Sequence, residues 1–185
     1  MDSVVSGQWS VVSGQWSVFS YQVTDASFTA KPGANCFRGE VFMEKDFDRA
    51  ELIRLALKEQ GNAYAPYSGF AVSAAVLMES GKVYTGVNVE NASYPAGICA
   101  ERNAIFHAAA CGERKIKAIA VAGGLDGKND DYCAPCGICR QVMREFCRPE
   151  KMKVLLAKTP EDYREMTLED LLPESFGPES LPRRE

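Results

Sequence analysis

The pattern of apolar and polar positions along the chain changes near residue 46. Residues 18–42 have a loop-like composition, whereas from Asp46 onward apolar side chains recur at helical spacing, with Lys, Arg and Glu on the opposite face. Gly61 and Asn62 end this predicted helix. The change in pattern places a domain boundary near Met43. The apolar stripe of the helix consists of Phe47, Ala50, Ile53 and Leu57.

Downstream of this helix, apolar runs predict a sheet that alternates with helices. An apolar run at 70–78 and an alternating run at 83–89 flank a turn-forming segment, which predicts a β-hairpin. The order of elements favours an α/β fold, a three-layer α/β/α sandwich with a mixed five-stranded sheet. The later elements are a helix at 99–111, a strand at 116–122, a polar loop at 123–131, a helix beginning at Pro135 and ending near Phe146, strands at 152–157 and 163–166, and a short helix that Thr167 begins with a capping box.

Residues 1–42 contain a duplicated heptad. Residues 4–10 and 11–17 are both Val-Val-Ser-Gly-Gln-Trp-Ser. Each copy carries a glycine, two serines and no charge, which argues against a coiled coil, and two copies are too few for a solenoid. We interpret residues 1–42 as a disordered extension that precedes a domain at 43–185. A docking peptide anchored by Trp9 and Trp16 is the alternative.

Composition narrows the class of partner. The 185 residues carry a net charge of −4 with 25% charged and 46% apolar residues. This balance lacks the basic surface that holds a polynucleotide, and it favours a small ligand. No apolar run is long enough to span a membrane, and the N-terminus does not resemble a signal peptide, since its first cation is Lys31. We therefore expect a cytoplasmic protein whose seven cysteines are thiols or metal ligands.

Two short stretches carry the candidate chemistry. The first contains Cys99, Glu101 and Arg102, and the second is Cys136-x-x-Cys139. A catalytic zinc keeps three protein ligands and one position for water, and three thiolates fit that pattern. Glu101 lies two residues from a ligand and could move protons to and from the water without binding the metal.

The predicted helices explain how three thiolates could be held together. Cys99 opens one helix, and Cys136 and Cys139 lie in the first turn of another, so both helix N-termini direct positive partial charge at sulfur. Three thiolates on Zn²⁺ give a site of formal charge about −1. Arg102 could donate hydrogen bonds to the sulfurs and offset that charge.

Other readings of these cysteines remain open. Cys133 could supply a fourth ligand and make the zinc structural. Cys133-x-x-Cys136-x-x-Cys139 also opens like a ferredoxin run, but the next cysteine that an iron–sulfur site needs is replaced by Met143. A redox pair leaves Cys99 and Glu101 unexplained. The sole histidine, His107, lies about 80° around the helix from Cys99 and could hardly join the same metal.

At this point the chain resembles a known family. Residues 88–95 (Asn-Val-Glu-Asn-Ala-Ser-Tyr-Pro), 98–102 (Ile-Cys-Ala-Glu-Arg) and 135–146 (Pro-Cys-Gly-Ile-Cys-Arg-Gln-Val-Met-Arg-Glu-Phe) resemble the short, three-cysteine class of cytidine deaminases. The resemblance covers about residues 46–181, including 64–68 and 171–179.

The resemblance implies a mechanism and a set of site residues. A zinc-activated water attacks C4 of cytosine, and Glu101 protonates N3 and then the departing ammonia. The backbone at Ala100 binds the base, Asn88 and Glu90 bind the ribose 3′-hydroxyl, and Phe70 lines the nucleoside pocket. The product is uridine or deoxyuridine, as in pyrimidine salvage.

The resemblance also implies a homotetramer with one zinc per subunit. In such an assembly Tyr94 and Phe176 reach a neighbour's site, and Phe176 stacks on the pyrimidine. This would explain an aromatic residue in a tail rich in proline and glycine.

The sequence departs from the family pattern at two positions, and two functions other than cytidine deamination remain as alternatives. Ser73 stands where the family usually has glycine, and Cys133 stands where serine is commoner. A relative acting on another aminopyrimidine, such as a blasticidin-type deaminase, is the alternative enzyme. A non-catalytic zinc module that binds a partner is the alternative of another class.

Overall fold

The computed structural model describes residues 41–42 and 47–181. The predictions of disorder and of docking for the duplicated heptad lie outside the described residues. Within these ranges no helix is long and apolar enough to cross a bilayer. The helices and strands are β1 (Val41–Phe42), α1 (Arg49–Glu59), β2 (Phe70–Met78), β3 (Lys82–Val87), α2 (Ala100–Ala110), β4 (Ile116–Leu125), α3 (Gly137–Glu145), β5 (Lys153–Ala157), β6 (Tyr163–Thr167) and α4 (Leu168–Leu171).

The sheet is mixed, as predicted. Its order is β1-β3-β2-β4-β5-β6, and every neighbouring pair is antiparallel except β4 and β5. Five of the strands are those predicted from the sequence. The sixth, β1, pairs Val41 with Val83 and Phe42 with Lys82 at the edge of the sheet, inside the stretch that the sequence analysis left to the extension.

Helices cover both faces of the sheet, which confirms the three-layer α/β/α sandwich. Alternate residues of β2 and β4 belong to two different buried clusters. Ala75 and Ala120 pack with Leu52 and Ile53 of α1 on one face. The other face packs against α2 and α3, and its cluster includes Ala74, Val76, Val121, Ala104, Ile105 and Met143. This alternation is the period-2 pattern of a strand that is buried on both faces.

Strand direction brings two helix starts to one edge of the sheet. Because β3 and β4 both pair antiparallel with β2, they run in the same direction. Their carboxyl ends therefore lie at the same edge, where β2 begins at Phe70. The chain leaves β3 toward α2 and leaves β4 toward α3, so the N-termini of α2 and α3 meet beside Phe70.

Two predicted boundaries were wrong. The strand β4 continues to Leu125 through Gly123 and Gly124, although the composition of this segment predicts a loop, because these residues remain paired with Val72 and Ala71. Pro135 does not begin α3. Instead Cys136 caps the helix in an extended conformation, and its carbonyl accepts the first helical bond, from the Arg140 N–H at 3.0 Å.

The expectation that the cysteines are thiols is confirmed for most of those described. The free thiols are Cys99, Cys133, Cys136, Cys139 and Cys147. Cys111 is disulfide-bonded, so the expectation was wrong for this residue.

We predict that Ser73→Ala stabilises the fold. Ser73 is fully buried in β2, and its hydroxyl has no hydrogen-bond partner among the described residues. A buried hydroxyl without a partner carries a desolvation cost, so removing it should raise the free energy of unfolding by about 1 kcal/mol. Urea denaturation measures this change.

The matched control for Ser73→Ala is Ser80→Ala. The Ser80 hydroxyl is exposed and donates to Glu113 Oε1 at 2.9 Å, so its loss should be neutral or slightly destabilising. A Ser73→Ala protein that is less stable than the wild type by about 1 kcal/mol or more would mean that Ser73 has a partner after all.

Candidate metal centre

Three sulfur atoms converge where α2 and α3 begin. The Sγ atoms of Cys99, Cys136 and Cys139 all lie within 4.8 Å of one another. The Cys99–Cys136 distance is 4.0 Å and the Cys136–Cys139 distance is 3.5 Å. In the part of the chain that the structure describes, this is the metal-ligating cluster that the sequence predicted.

Helix capping explains how the three residues reach one point. Cys99 is the N-cap of α2, Cys136 is the N-cap of α3, and both have extended backbones that leave the side chain at the helix end. Cys139 lies in the first turn of α3 and is fully buried. The unpaired N–H groups of two helix N-termini therefore surround the sulfurs, which favours their anionic form.

The sulfur geometry fits zinc. Thiolates at 2.3 Å from a tetrahedral zinc lie about 3.8 Å apart, and the two measured separations fall on either side of this value. Burial raises the pKa of the Cys139 thiol. Burial also acts to raise the pKa of Cys136, but hydrogen bonds, including those from the Cys139 and Ile138 N–H groups, outweigh it and the pKa is lowered. A cation between the sulfurs is therefore the natural partner for this cluster.

Arg102 lies against the sulfurs. Its guanidinium donates to Cys99 Sγ at 3.6 Å, and this contact raises the pKa of Arg102. The Nε atom of Arg102 is buried and has no partner among the described residues. Arg102 thus brings positive charge to a cluster of three thiols.

Glu101 is a buried carboxyl group beside the cluster. It is 4% exposed, and this burial raises its pKa, although hydrogen bonds from its own N–H and from the Cys139 side chain, together with the charge of Arg102, act in the opposite direction. A carboxyl group with a raised pKa holds a proton to a higher pH than an exposed carboxyl group and can give it up again. It lines the same cavity as Cys99 and Cys136.

Cys133 and His107, the other candidate ligands, lie outside the cluster. Cys133 packs against β4, where a Cβ added to Gly123 would come within 2.9 Å of Cys133 Sγ. Burial raises the pKa of the Cys133 thiol to about 11. His107 packs edge-to-face on Tyr84 with ring centroids 5.1 Å apart.

A cavity of about 550 Å³ opens over the metal cluster. Apart from the fully buried Cys139, most of the residues predicted for the site line this cavity. They are Phe70, Asn88, Glu90, Tyr94, Cys99, Ala100, Glu101, Arg102 and Cys136.

Asn88 and Glu90 are held by the strand and the loop that they face. The Asn88 amide donates to Phe70 O at 2.9 Å and accepts from Val72 N at 2.8 Å. The Glu90 carboxylate accepts from the Ser68 hydroxyl at 2.5 Å and from the Tyr67 N–H at 2.9 Å. The Ser68 hydrogen bond is the main cause of a lowered pKa for Glu90. Both side chains keep hydrogen-bonding capacity that these contacts do not use.

Phe176 is the predicted site residue that the structure does not bring to the cavity of its own chain. Its side chain belongs to the tail after α4 and is 60% exposed. Tyr94 lines the cavity but is 80% exposed. Two large aromatic side chains thus face solvent in the single chain.

Sequence reasoning assigned no role to several lining residues. Ser68 and Tyr67 orient Glu90, and Val72 forms part of the wall. Cys133, which the sequence offered as a fourth zinc ligand, is instead also part of the wall. The signal for the first pair is Gly69, whose φ of 66° turns the chain before β2 and places residues 67–68 over the cavity. A glycine that follows Pro-Tyr-Ser marks such a turn.

Comparisons with known proteins agree with this geometry. Residues 47–156 match the model of the cytidine and deoxycytidylate deaminase zinc-binding region. The chain is 46% identical over 134 residues to a cytidine deaminase of Halalkalibacterium halodurans, a match that covers 72% of this chain and 98% of that protein. The chain belongs to the cytidine deaminase family. The resemblance stated from the sequence is confirmed.

Other members of the family support the assignment and the fold. A cytidine deaminase of Mycobacterium tuberculosis is 41% identical over 138 residues, covering 75% of this chain and 96% of that protein. The crystal structure of cytidine deaminase from Burkholderia pseudomallei superposes with a TM-score of 0.62 at 46% identity, covering 68% of this chain and 97% of that one. The three-cysteine cluster and the zinc-binding region of the family together support one zinc per subunit.

Proposed function

We propose that this cytidine deaminase hydrolyses cytidine and deoxycytidine to uridine and deoxyuridine with release of ammonia, a step of pyrimidine salvage. The observation that carries the proposal is the buried Glu101 beside a cluster of three thiols at the floor of one cavity. Cys99, Cys136 and Cys139 would hold the zinc. When bound, the metal supplies a Lewis acid that makes water a nucleophile near neutral pH.

Glu101 is the proton carrier of the proposed reaction. Its carboxylate takes a proton from water and passes it to N3 of the pyrimidine while the hydroxide bonds to C4. It then takes the proton of the new C4 hydroxyl and passes it to the amino group, so that the C4–N bond breaks, ammonia leaves and the C4 carbonyl forms. Burial suits it to this role because it raises the pKa of the carboxyl group, so that Glu101 holds a proton more readily than an exposed glutamate does. Arg102, which donates to Cys99 Sγ, offsets the negative charge of three thiolates.

The cavity wall supplies the proposed nucleoside contacts. Ala100 is the first residue of α2, so its N–H has no partner inside the helix and can meet the base. Asn88 and Glu90 would bind the ribose 3′-hydroxyl through the hydrogen-bonding positions of their side chains that residues 67–72 do not occupy. Phe70, at the start of β2, would line the sugar and base side of the pocket.

A substrate panel tests this function. The purified protein with zinc should lose cytidine and deoxycytidine absorbance and release one ammonia per nucleoside. Deoxycytidylate and an aminopyrimidine antibiotic of the blasticidin type should be poor substrates. Preferred turnover of the antibiotic would assign the chain to the alternative deaminase class. A structural zinc module would be favoured if no nucleoside were turned over and if spectroscopy of the cobalt-substituted protein showed four protein ligands on the metal.

We also propose a homotetramer in which Tyr94 and Phe176 complete a neighbour's site. The supporting observation is that both rings are largely exposed and that Phe176 lies away from the cavity of its own chain. Large exposed aromatic side chains are enriched where proteins associate. Light scattering should report a tetramer, and a monomer with full activity would contradict the proposal.

The trans contribution of Phe176 predicts complementation. Phe176→Ala chains keep Glu101 but lack the stacking ring, whereas Glu101→Gln chains keep the ring. Glu101→Gln alone should be nearly inactive, and Phe176→Ala alone should have an impaired kcat/KM. Co-expressed mixed tetramers should recover a substantial share of wild-type kcat/KM, because some Phe176→Ala sites then receive a ring from a Glu101→Gln neighbour. Activity no higher than that of the separate variants would show that Phe176 does not act across subunits.

For the rest of the chain we propose a deaminase domain at 43–185 in a cytoplasmic protein, preceded by an N-terminal extension at 1–42 whose last two residues, β1, add an edge strand to the sheet of the domain. The family match beginning at residue 47 supports the boundary. The free thiols of Cys99, Cys136 and Cys139, which would hold the metal, support a reducing compartment, whereas the disulfide bond of Cys111 does not. Full activity of a protein that begins at residue 43, and cell fractionation, test these two proposals.

A further inference from the structure

The tail that carries Phe176 is held by the helix that carries two of the metal ligands. Gln141 of α3 donates to the Phe176 carbonyl at 3.0 Å. Arg144, one turn further along α3, donates from Nε to Ser175 Oγ at 2.9 Å and pairs through its terminal nitrogen with Glu179. The tail is therefore bound to α3 at, before and after Phe176.

Arg144 is the buried member of this array. Its side chain is 8% exposed, whereas that of Glu179 is 65% exposed. A guanidinium that is buried against a helix and engaged in two directions has little freedom to move. These contacts therefore hold the tail in place, and Arg144 is the fixed partner.

Gly177 lets the backbone lie directly on the Arg144 guanidinium. A Cβ added at Gly177 would come within 2.3 Å of Arg144 Cζ and 2.4 Å of one terminal nitrogen. The side-chain end of an arginine can often move away from such a clash, but this one is buried and bonded to Ser175 and Glu179. The glycine also donates its N–H to Ser180 Oγ at 3.2 Å, which closes the short turn after it.

These contacts fix the backbone around Phe176 and leave its ring exposed. We propose that Arg144 is a positioning residue for catalysis, which anchors the tail through Ser175, Gly177 and Glu179 so that Phe176 points outward from α3. The inference rests on the proposed stacking of Phe176 on the substrate. Apart from one 3₁₀ turn at Pro178–Ser180, the tail has no regular structure of its own to supply this order. Ordering it only on substrate binding would cost conformational entropy.

The expected kinetic signature is a change in KM. Stacking contributes to the substrate complex and to the transition state alike, so its loss raises KM and leaves kcat near the wild-type value. We expect Arg144→Gln to lower kcat/KM about tenfold, the factor that corresponds to about 1.4 kcal/mol. In a Phe176→Ala background the same substitution should change kcat/KM by less than about twofold, because the ring that it positions is gone.

Two further variants complete the design. Ser175→Ala/Glu179→Gln removes the tail partners of Arg144 without touching the buried side chain, and it covers the case in which Arg144→Gln does not fold. Arg148→Gln is the control, since Arg148 is an exposed arginine just beyond α3. Zinc content and hydrogen–deuterium exchange of the peptide over 173–181 are measured on each protein.

Anchoring of the tail by Arg144 is supported if exchange over 173–181 is faster in Arg144→Gln and in Ser175→Ala/Glu179→Gln, with a raised KM and unchanged zinc content. It is supported further if Arg144→Gln has little effect on kcat/KM in the Phe176→Ala background. It is overturned by unchanged exchange, by loss of zinc, or by an equal loss of kcat/KM in the Phe176→Ala background. Wild-type kinetics of Phe176→Ala would contradict the stacking itself. Hydrogen–deuterium exchange measures whether Arg144 holds the tail even in a protein without turnover. A failure of the Arg144 proposal can therefore be distinguished from a failure of the proposed function.

Discussion

Glu101→Gln should reduce kcat for cytidine by on the order of 10⁴-fold while leaving the zinc content at one per chain. The amide has nearly the shape of the carboxyl group but can neither accept a proton from water nor pass one to N3. Zinc should stay because Glu101 is not a member of the three-sulfur cluster. Single-turnover kinetics together with metal analysis of the same sample measure both quantities.

The matched control for Glu101→Gln is Glu145→Gln. Glu145 lies at the end of α3 and is exposed, so the same exchange of oxygen for nitrogen should leave kcat and zinc at wild-type values. The free energy of unfolding of Glu101→Gln should remain within about 1 kcal/mol of the wild type or rise, since a buried carboxylate carries a desolvation cost. Full activity of Glu101→Gln would remove Glu101 from the mechanism.

Gly86→Ala should destabilise the fold by about 3 kcal/mol and loosen the metal site. A Cβ at Gly86 would lie 2.4 Å from Ala104 N and 2.7 Å from Ala100 O. These are backbone atoms of α2, which cannot yield as a flexible side chain can. The helix must therefore shift at its first turn, where Cys99 and Glu101 lie. We expect a lower midpoint in urea, weaker zinc retention against a chelator and reduced kcat/KM.

Gly61→Ala is the control for the backbone effect of replacing glycine. A Cβ at Gly61 meets no atom within 4 Å among the described residues, and its φ does not lie in the left-handed region. The unfolding free energy of Gly61→Ala should stay within about 0.5 kcal/mol of the wild type. If Gly86→Ala were equally harmless, α2 would not be seated on β3 as closely as the structure has it.

The metal cluster could be predicted because its signals are local. Cys136 and Cys139 lie in one helical turn, and Glu101 lies two residues from Cys99, so spacing indicates a thiolate metal site with a carboxyl group beside it. The choice between three ligands and four needed the structure, which places Cys133 outside the cluster. The convergence of the two stretches depends on β3 and β4 running in the same direction. Alternating strands and helices made that arrangement predictable as well.

The errors arose where tertiary contacts override local preference. Gly123 and Gly124 indicate a loop by composition, yet both belong to β4 because Val72 and Ala71 pair with them. A side chain could not be accommodated at Gly124, where an added Cβ would lie 1.6 Å from Lys128 O. No local signal in the sequence reveals that a neighbouring backbone passes so closely.

The supporting contacts of the site were also beyond sequence reasoning. Ser68 bonds Glu90 from 22 residues away, and Arg144 bonds Ser175 from 31 residues away. Such pairs follow from the three-dimensional packing of loops and tails rather than from periodicity. Residues that bind a ligand could be inferred by resemblance, whereas residues that hold those residues in place needed the structure.

Turnover of cytidine by this protein should depend strictly on bound zinc. Zinc is removed from the wild-type protein with a chelator and returned in known amounts, and cytidine turnover and ammonia release are measured at each level, with Cys99→Ser alongside. Activity should rise in proportion to zinc and saturate at one zinc per chain, and Cys99→Ser should show neither tight zinc binding nor turnover. Full turnover by the zinc-free protein, or by Cys99→Ser without metal, would show that catalysis does not need zinc held by these cysteines.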